Sequence, residues 1–479
     1  MIQPHVPSAP DRYCRLFAPS GESQLPDARD KKLFALARSM ESNNSSIPNE
    51  CWDGKMVGAG YTYFGQFVDH DLTEDRTSLR QAGLMEPKDT ENRRTCWLDL
   101  DSLYGHGPGC SHSEDLYEAN GLSFRLGEPR VNGQAFDAPL TNGRPRLADD
   151  RNNENIIVRQ IHVMFLKLHN LAVIELEKTT PRLPRPDLFN QARERVRWQY
   201  QWLVRHDFLK TICNDTVYRD VIEKGQRTVD WSKGFSIPVE FSQAAFRFGH
   251  SMVRFEYNLN AITRHVPLGD LFGMMNLKAL RPEFAVDWNE FLKDETSMRI
   301  DTSVVKPLFN LPEEDISRFV SLDGRHTSRE LPYRTLYRGA ATRLPAGQQV
   351  RDQLSPDAVI QQPKCMANDY DPWKTLRELN LENQTPLWYY ILLEAEIDEN
   401  GLRLGRVGSR LVLEVIEGSL RADPNSFINR FGDDWIPPAW RQADGGEFPI
   451  RRLLDLAKYV GLARDGHRSD RNPRSPNGC

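Results

Sequence analysis

Apolar residues recur at three- and four-residue spacing over long stretches of this chain, and strict alternation of apolar and polar positions is scarce. The longest stretch, ENIIVRQIHVMFLKLHNLAVIELEK from Glu154, keeps the helical period for about seven turns, and FNQARERVRWQYQWLVRHDFLKTI from Phe189 repeats it. Shorter helices are predicted in KKLFALARSM, FSQAAFRFGHSMVRF, TPLWYYILLEAEI and RVGSRLVLEVIEGSLR. The expected fold class is therefore mainly α, a single large helical domain with little β structure. Gly, Pro and Asn punctuate GEPRVNGQAFDAPLTNGRPR, which predicts a long loop over 127–146, and TTPRLPRPDLF from Thr179 predicts a break between the two long helices. The expected organisation is an N-terminal arm over 1–50 without catalytic signal, the domain over 51–462, and a polar tail over 463–479.

With 479 residues, 39% hydrophobic and 27% charged, the chain is long enough to bury a large core. Its 62 basic against 67 acidic residues give a net charge of −5, which removes the electrostatic case for a nucleic-acid partner and suits a neutral or small substrate. No run of about 18 apolar residues occurs, and the opening thirty residues hold no apolar run of signal-peptide length. The expectation is a soluble protein with no membrane span and no Sec signal, cytoplasmic or exported by a signal-less route. The 7 cysteines (Cys14, Cys51, Cys96, Cys110, Cys213, Cys365, Cys479) form no CxxC and are odd in number. Reduced thiols are expected, Cys96 with Cys110 being the pairing considered.

Four segments carry candidate chemistry. YTYFGQFVDHDLTED, from Tyr61, if helical, sets Gln66, Asp69, His70 and Thr73 on one face and turns Asp71 about 100° away. Such a face offers a base, an amide and a carboxylate, though a polar helix face with a satisfied histidine has the same pattern. In RRTCWLDLDSLYG, from Arg93, alternation aims Thr95, Trp97, Asp99 and Asp101 to one side of an extended loop, as an oxygen cluster for a hard cation or as solvated acidic turn residues. An EF-hand is excluded, since counting from Asp99 its sixth position is Tyr104 instead of Gly and its twelfth Cys110 instead of Glu.

In DDRNNENIIVRQIHVMFLKLHN, Arg151 and Glu154 stand three apart at the expected start of the long helix, with Asp149 or Asp150 as cap. A surface ion pair is the ordinary meaning of that spacing. His162 and His169 on the same helix lack a carboxylate that would complete a metal site and are read as packing residues. FSQAAFRFGHSMVRF holds Arg247 and His250 three apart among Ala245, Phe246, Phe248 and Met252, which suits an imidazole ligand to haem iron with an arginine for a propionate, or a core histidine.

In this order the strings GQFVDHDLT, the Asp-bearing loop, the Arg-x-x-Glu segment and FRFGHSM resemble those of animal-type haem peroxidases of the peroxidase–cyclooxygenase superfamily. YRTLYRGAATRLPAGQ from Tyr333 and the closing helices extend the resemblance over roughly Trp52 to Ile428. The resemblance implies haem b between a distal and a proximal helix, with His70, Gln66 and Arg151 on the peroxide side, His250 on the iron, and Arg247 and Arg338 near the propionates. It also implies a structural calcium held by Asp71, Thr95, Asp99, Asp101 and the carbonyl of Trp97. Asp69 and Glu154 stand where the family forms ester links to haem, whereas Asn155 stands where one mammalian relative has a haem-linked Met, so no third bond is expected. Thr335 replaces the family's Asn beside the proximal histidine, a weaker acceptor for its Nδ1–H. The implied activity is reduction of hydrogen peroxide through an oxo-ferryl haem, with a halide, thiocyanate or small aromatic donor then oxidised. Two further readings are a fatty-acid dioxygenase of the cyclooxygenase branch, which needs a Tyr where Arg247 stands, and a catalytically inactive calcium-stabilised scaffold, which has no need of His70, Arg151 and His250 together.

Overall fold

A computed structural model of the chain describes residues 1–6, 11–21, 27–42, 57–75, 86–128, 130–274, 279–293, 297–311, 329–358, 360, 371, 373–442 and 445–463. The tail from 464, the boundary between arm and domain over 43–56, and Cys51, Cys365 and Cys479 lie outside the described residues. The architecture is helical as the periodicity predicts, and the strands among the described residues are two-residue pairs.

The helices that build the site are α1 (Asp27–Ser39), α2 (Ala59–Leu72), α3 (Asp101–Tyr104), α4 (Ile156–Thr179), α5 (Arg185–Leu203), α6 (Leu331–Ala341), α7 (Gly347–Leu354), α8 (Leu387–Asp398) and α9 (Arg406–Ala422). The predicted break after Thr179 is observed, with a proline in the first turn of α5 where its missing N–H costs nothing. Helix α4 is long and apolar enough to cross a membrane by length and composition, yet 89% of its apolar window is buried inside the fold, the position of a central core helix. It packs against α5 and α2. Phe67 of α2 stacks on Phe165 of α4 at 5.2 Å, and Tyr200 of α5 meets both rings edge-on, so aromatic packing fixes the height of α2 over the core. The start of α2 is pressed against 291–292: a Cβ at Gly60 would stand 2.5 Å from Leu292 Cδ2.

Several expectations are corrected. The loop over 127–146 contains two hairpins, 130–131 with 134–135 and 140–141 with 144–145. Each turns on an Asn-Gly pair with positive φ at both residues (Asn132 and Gly133, Asn142 and Gly143), the two-residue turn that matches strand twist. The long helix starts at Ile156 with Asn155 as its cap, while Arg151 and Glu154 lie in or just after a separate 3₁₀ turn, Asp150–Asn153, capped by Asp149. Asn155 wins because its carbonyl oxygen accepts from both Ile157 N and Val158 N. The segment around His250 is one helical turn over Val239–Ser242 and a 3₁₀ stretch over Ala245–His250, broken where Ala244 takes φ −138° and ψ −69°. Cys96 and Cys110 are both free thiols, as are Cys14 and Cys213.

The N-terminal segment is more than an arm. Arg15 donates to the carbonyls of Thr342 (2.7 Å) and Arg343 (3.2 Å), and the Glu240 carboxylate accepts from the amides of Leu16 and Phe17. Tyr13 is buried by this clasp.

Candidate active site

One cavity of about 300 Å³ gathers Gln66, Asp69, His70 and Thr73 from α2, Arg151 and Glu154 from the 3₁₀ turn, Arg247 and His250 from the proximal stretch, and Thr335 and Arg338 from α6. These are the predicted haem-site residues, brought to one space from four separate elements. Its size is that of a small-molecule or cofactor site.

His70 sits one turn from the end of α2 and is buried. Its pKa is lowered to about 4, first by burial and then by the nearby Arg151, so at neutral pH the ring is uncharged and able to accept a proton. Its Nδ1 lies 3.0 Å from Asn152 Oδ1, and Asn152 Nδ2 lies 3.2 Å from His162 Nδ1. Gln66 donates from Nε2 to Glu154 Oε2 at 2.9 Å, while its own carbonyl accepts from Asn155 Nδ2 at 3.1 Å. Glu154 Oε2 is 3.7 Å from His70 Nε2. Asp69 accepts from the Thr73 hydroxyl at 3.1 Å.

Arg151 is held by a bidentate pairing with Asp149 (3.1 and 2.7 Å) and by the carbonyls of Thr73 (2.6 Å) and His70 (2.8 Å). Burial alone would raise the Asp149 carboxyl, but Arg151 outweighs it and holds the group well below the usual carboxylate range. The result is a fixed cation at the end of α2, where carbonyls are left without helical partners.

On the opposite wall, Arg247 and His250 stand three apart on the 3₁₀ stretch, which eclipses side chains at that spacing. The pKa of His250 is lowered to about 3 by burial, then by Arg247 and Arg334. Trp388 of α8 meets its ring edge-on at 5.9 Å and donates to the Arg247 carbonyl at 3.1 Å. The buried Nδ1 of His250 has no hydrogen-bond partner among the described residues. The expected contact with Thr335 is not made: that hydroxyl donates to the Leu331 carbonyl of its own helix at 2.9 Å, the usual back-bond of a helical threonine. Arg338 pairs with Asp75 at 2.5 Å.

The second predicted cluster forms beside the cavity. Asp71, Asp99 and Asp101 bring carboxylate oxygens within 4.8 Å of one another. Thr95 donates from its hydroxyl to Asp99 (2.9 Å) and from its amide to Asp101 (3.1 Å), and the Trp97 carbonyl lies 3.5 Å from that hydroxyl. Leu100 adopts left-handed backbone (φ 60°, ψ 33°), and its amide thereby donates to Asp71 at 3.1 Å. A leucine in that conformation costs roughly 1–2 kcal/mol, strain that persists where a site needs it. Burial pushes all three carboxyls up, with repulsion from neighbouring aspartates adding to it at Asp71 and Asp101, the latter raised to about 7 despite Arg94. Asp101 Oδ1 is buried with no hydrogen bond among the described residues, its nearest cation being Arg94 Nη1 at 3.6 Å.

Sequence reading missed Tyr13, Arg334 and Asn152, the first two lining the cavity and the third backing His70. An RNN run before a helix signals turn and cap; only the fold shows which ring an asparagine meets. His162 and His169 are buried packing residues as read, His169 bonding Tyr104 and the Leu122 carbonyl.

An animal haem peroxidase family model matches residues 75–285. Human (Homo sapiens) eosinophil peroxidase is 28% identical over 150 residues, 28% of this chain and 20% of the relative. The peroxidasin homolog of Mus musculus is 26% identical over 208 residues, 39% of this chain and 14% of the relative. Among solved structures, peroxidase A from Dictyostelium discoideum shares the fold with TM-score 0.60 and 16% identity, covering 94% of this chain and 93% of that one. Oryza sativa fatty acid alpha-dioxygenase does so with TM-score 0.61 and 14% identity, covering 94% and 78%. Over 75–285 the chain is thus similar to the animal haem peroxidase family, and it shares a mainly α fold with these solved structures. Its matches span a fifth or less of the length of these two curated relatives.

Proposed function

We propose that this protein is a haem-dependent peroxidase that takes hydrogen peroxide as oxidant and a halide, thiocyanate or small aromatic molecule as donor. The observation that carries this reading is the facing of a neutral His70 and of His250, whose Nδ1 makes no hydrogen bond among the described residues, onto one cavity with four arginines, Arg151, Arg247, Arg334 and Arg338. The residues fit haem b: an imidazole backed by Trp388 for the iron, arginines for propionates, and apolar walls from Phe248, Val253, Leu268 and Phe272 for the ring. When bound, the haem supplies the redox chemistry.

The chain's own residues handle protons and charge. His70 Nε2 takes a proton from the near oxygen of the peroxide and returns it to the departing one. Arg151, fixed by Asp149, stabilises the negative charge that develops as the two oxygens separate. Gln66, anchored at its carbonyl by Asn155, holds the Glu154 carboxylate beside His70. Asp69 and Glu154 both line the cavity, which supports up to two ester links to the haem. Calcium held by Asp71, Asp99, Asp101, Thr95 and the Trp97 carbonyl has a structural role, supported by three buried carboxylates that otherwise repel one another.

The test is haem loading followed by an absorption spectrum and a donor panel of bromide, iodide, thiocyanate and phenols. A Soret band with peroxide-dependent oxidation of at least one donor is expected; no Soret band, or no peroxide consumption with any donor, sinks the reading. Denaturing mass spectrometry after peroxide treatment should find haem mass retained on the protein, and less of it on Asp69→Ala and Glu154→Ala. Fatty-acid oxygenation is the second reading, suggested by the fold shared with the alpha-dioxygenases and by the apolar wall of Leu308, Leu311 and Leu331. Arg247 offers no phenol where that branch carries its radical tyrosine, so no oxygenated fatty acid is expected.

A further inference from the structure

A neutral imidazole accepts a proton at only one of its two nitrogens, and the partner of the other nitrogen decides which. For His70 that partner is Asn152, a fully buried side chain on the 3₁₀ turn. Its carbonyl Oδ1 faces His70 Nδ1 at 3.0 Å, and its Nδ2 faces His162 Nδ1 at 3.2 Å. An amide has one accepting and one donating end. The two rings therefore cannot choose tautomers independently: Nδ1–H on His70 goes with a bare Nδ1 on His162, and the reverse pair goes with an inverted amide.

The surroundings favour the first arrangement. A carboxylate aimed at His70 Nε2 would draw the hydrogen there, and Glu154 is the one beside it. Its Oε2 is 3.7 Å away, beyond hydrogen-bonding length, and already receives Gln66 Nε2 at 2.9 Å. Asp149 is engaged by Arg151. The turn carrying Asn152 is also tied to α2, because Arg151 donates to the carbonyls of His70 and Thr73. His162, on α4, is itself fixed by burial and by Phe67, whose ring meets it edge-on at 6.2 Å.

We propose that Asn152 is a positioning residue that fixes His70 in the Nδ1–H tautomer, with His162 setting the polarity of the amide, so that the Nε2 lone pair faces the cavity. This rests on the reading of His70 as the proton acceptor. Hydrogen cyanide probes it without turnover, since it must give up its proton to bind ferric haem as cyanide. In the haem-loaded protein, Asn152→Ala should capture cyanide about tenfold more slowly or worse, a modest part of what acid–base groups contribute. Asn152→Asp keeps an acceptor for Nδ1–H and should restore the rate to within about threefold, a rescue that a purely structural role does not predict, because it buries a charge. Histidine-selective ¹⁵N spectra of the cyanide complexes should show one His70 tautomer in wild type and a mixture in Asn152→Ala. If Asn152→Ala does not hold haem, His162→Phe carries the test, since it releases the amide to invert and should also slow capture. His70→Ala separates the two claims: wild-type capture in that variant overturns the acid–base reading itself, whereas slow capture there with wild-type capture in Asn152→Ala and His162→Phe overturns this inference alone.

Discussion

On the distal wall, His70 is held by Asn152, Gln66 by Glu154 and Asn155, and Arg151 by Asp149 and two carbonyls of α2. On the proximal wall, His250 has a ring neighbour in Trp388 but no hydrogen bond at Nδ1, and Thr335, the residue placed to supply one, bonds within its own helix. In the proposed reading, the groups assigned to proton transfer are thus preset by protein contacts. The histidine assigned to the iron is placed by packing, its Nδ1 unengaged among the described residues. Preorganisation lowers a barrier only if it is complete before the reaction begins, whereas a ligand is oriented by the bond it makes.

The contrast is broken most sharply by removing each histidine in turn. His70→Ala should keep haem and its spectrum yet react with peroxide about 10²–10⁴-fold more slowly, the usual worth of a positioned acid–base group. His250→Ala should lose haem or bind it with an altered Soret band. Rapid-mixing spectroscopy of both variants decides, and equal behaviour would dissolve the distinction between the walls. Because burial and Arg151 hold the His70 pKa at about 4, the ring is a free base above that value, so the peroxide reaction should be level through neutral pH and fall only as pH drops through about 4.

Emptying the carboxylate cluster comes next. Asp71 directly follows His70, so calcium loss should lower both stability and peroxide rate. Ligand binding to the folded state adds about 2.7 kcal/mol at a hundred times its dissociation constant, and Asp99→Ala or chelation should lower the melting temperature by several degrees on the order of that linkage. Metal-free protein with unchanged melting and kinetics would refute the site. Thr335→Asn sharpens the proximal side: an amide acceptor for His250 Nδ1–H should make the ring a stronger donor and lower the Fe(III)/Fe(II) potential, read by spectroelectrochemistry. The smallest effect is expected from Asn155→Ala, about 1 kcal/mol for the lost cap, with Gln66 freed to turn; thermal unfolding measures the first and a crystal structure the second.

Much of this was legible in the residue pattern, for identifiable reasons. Helix α4 could be read because its core position demands an apolar period, and Gln66, Asp69 and His70 fell on one face because α2 is regular through all three, with Thr73 following as its cap. Asp99 and Asp101 were legible from alternation, whereas Asp71 joined them only through the family resemblance, and the left-handed turn at Leu100 carries no composition signal. The proximal segment read as one helix since its residues all tolerate helical backbone; the break at Ala244 is imposed by packing. Asn152 was invisible in a different way, because its partners lie 82 residues before it and 10 after, and nothing in an amide announces which of its ends will be used.

The clasp on residues 13–17 has a consequence for biosynthesis. Tyr13 is synthesised well before the groups that seat its segment: Glu240 stands 224 residues beyond Leu16, and the Thr342 carbonyl 327 beyond Arg15. A nascent chain stalled short of Thr342 already holds both histidines and Glu240 but lacks the carbonyls of Thr342 and Arg343 that Arg15 grips. Completion of the cavity is therefore tied to the return of residues 13–17 onto Glu240 and the 342–343 carbonyls, an order of assembly written into the connectivity.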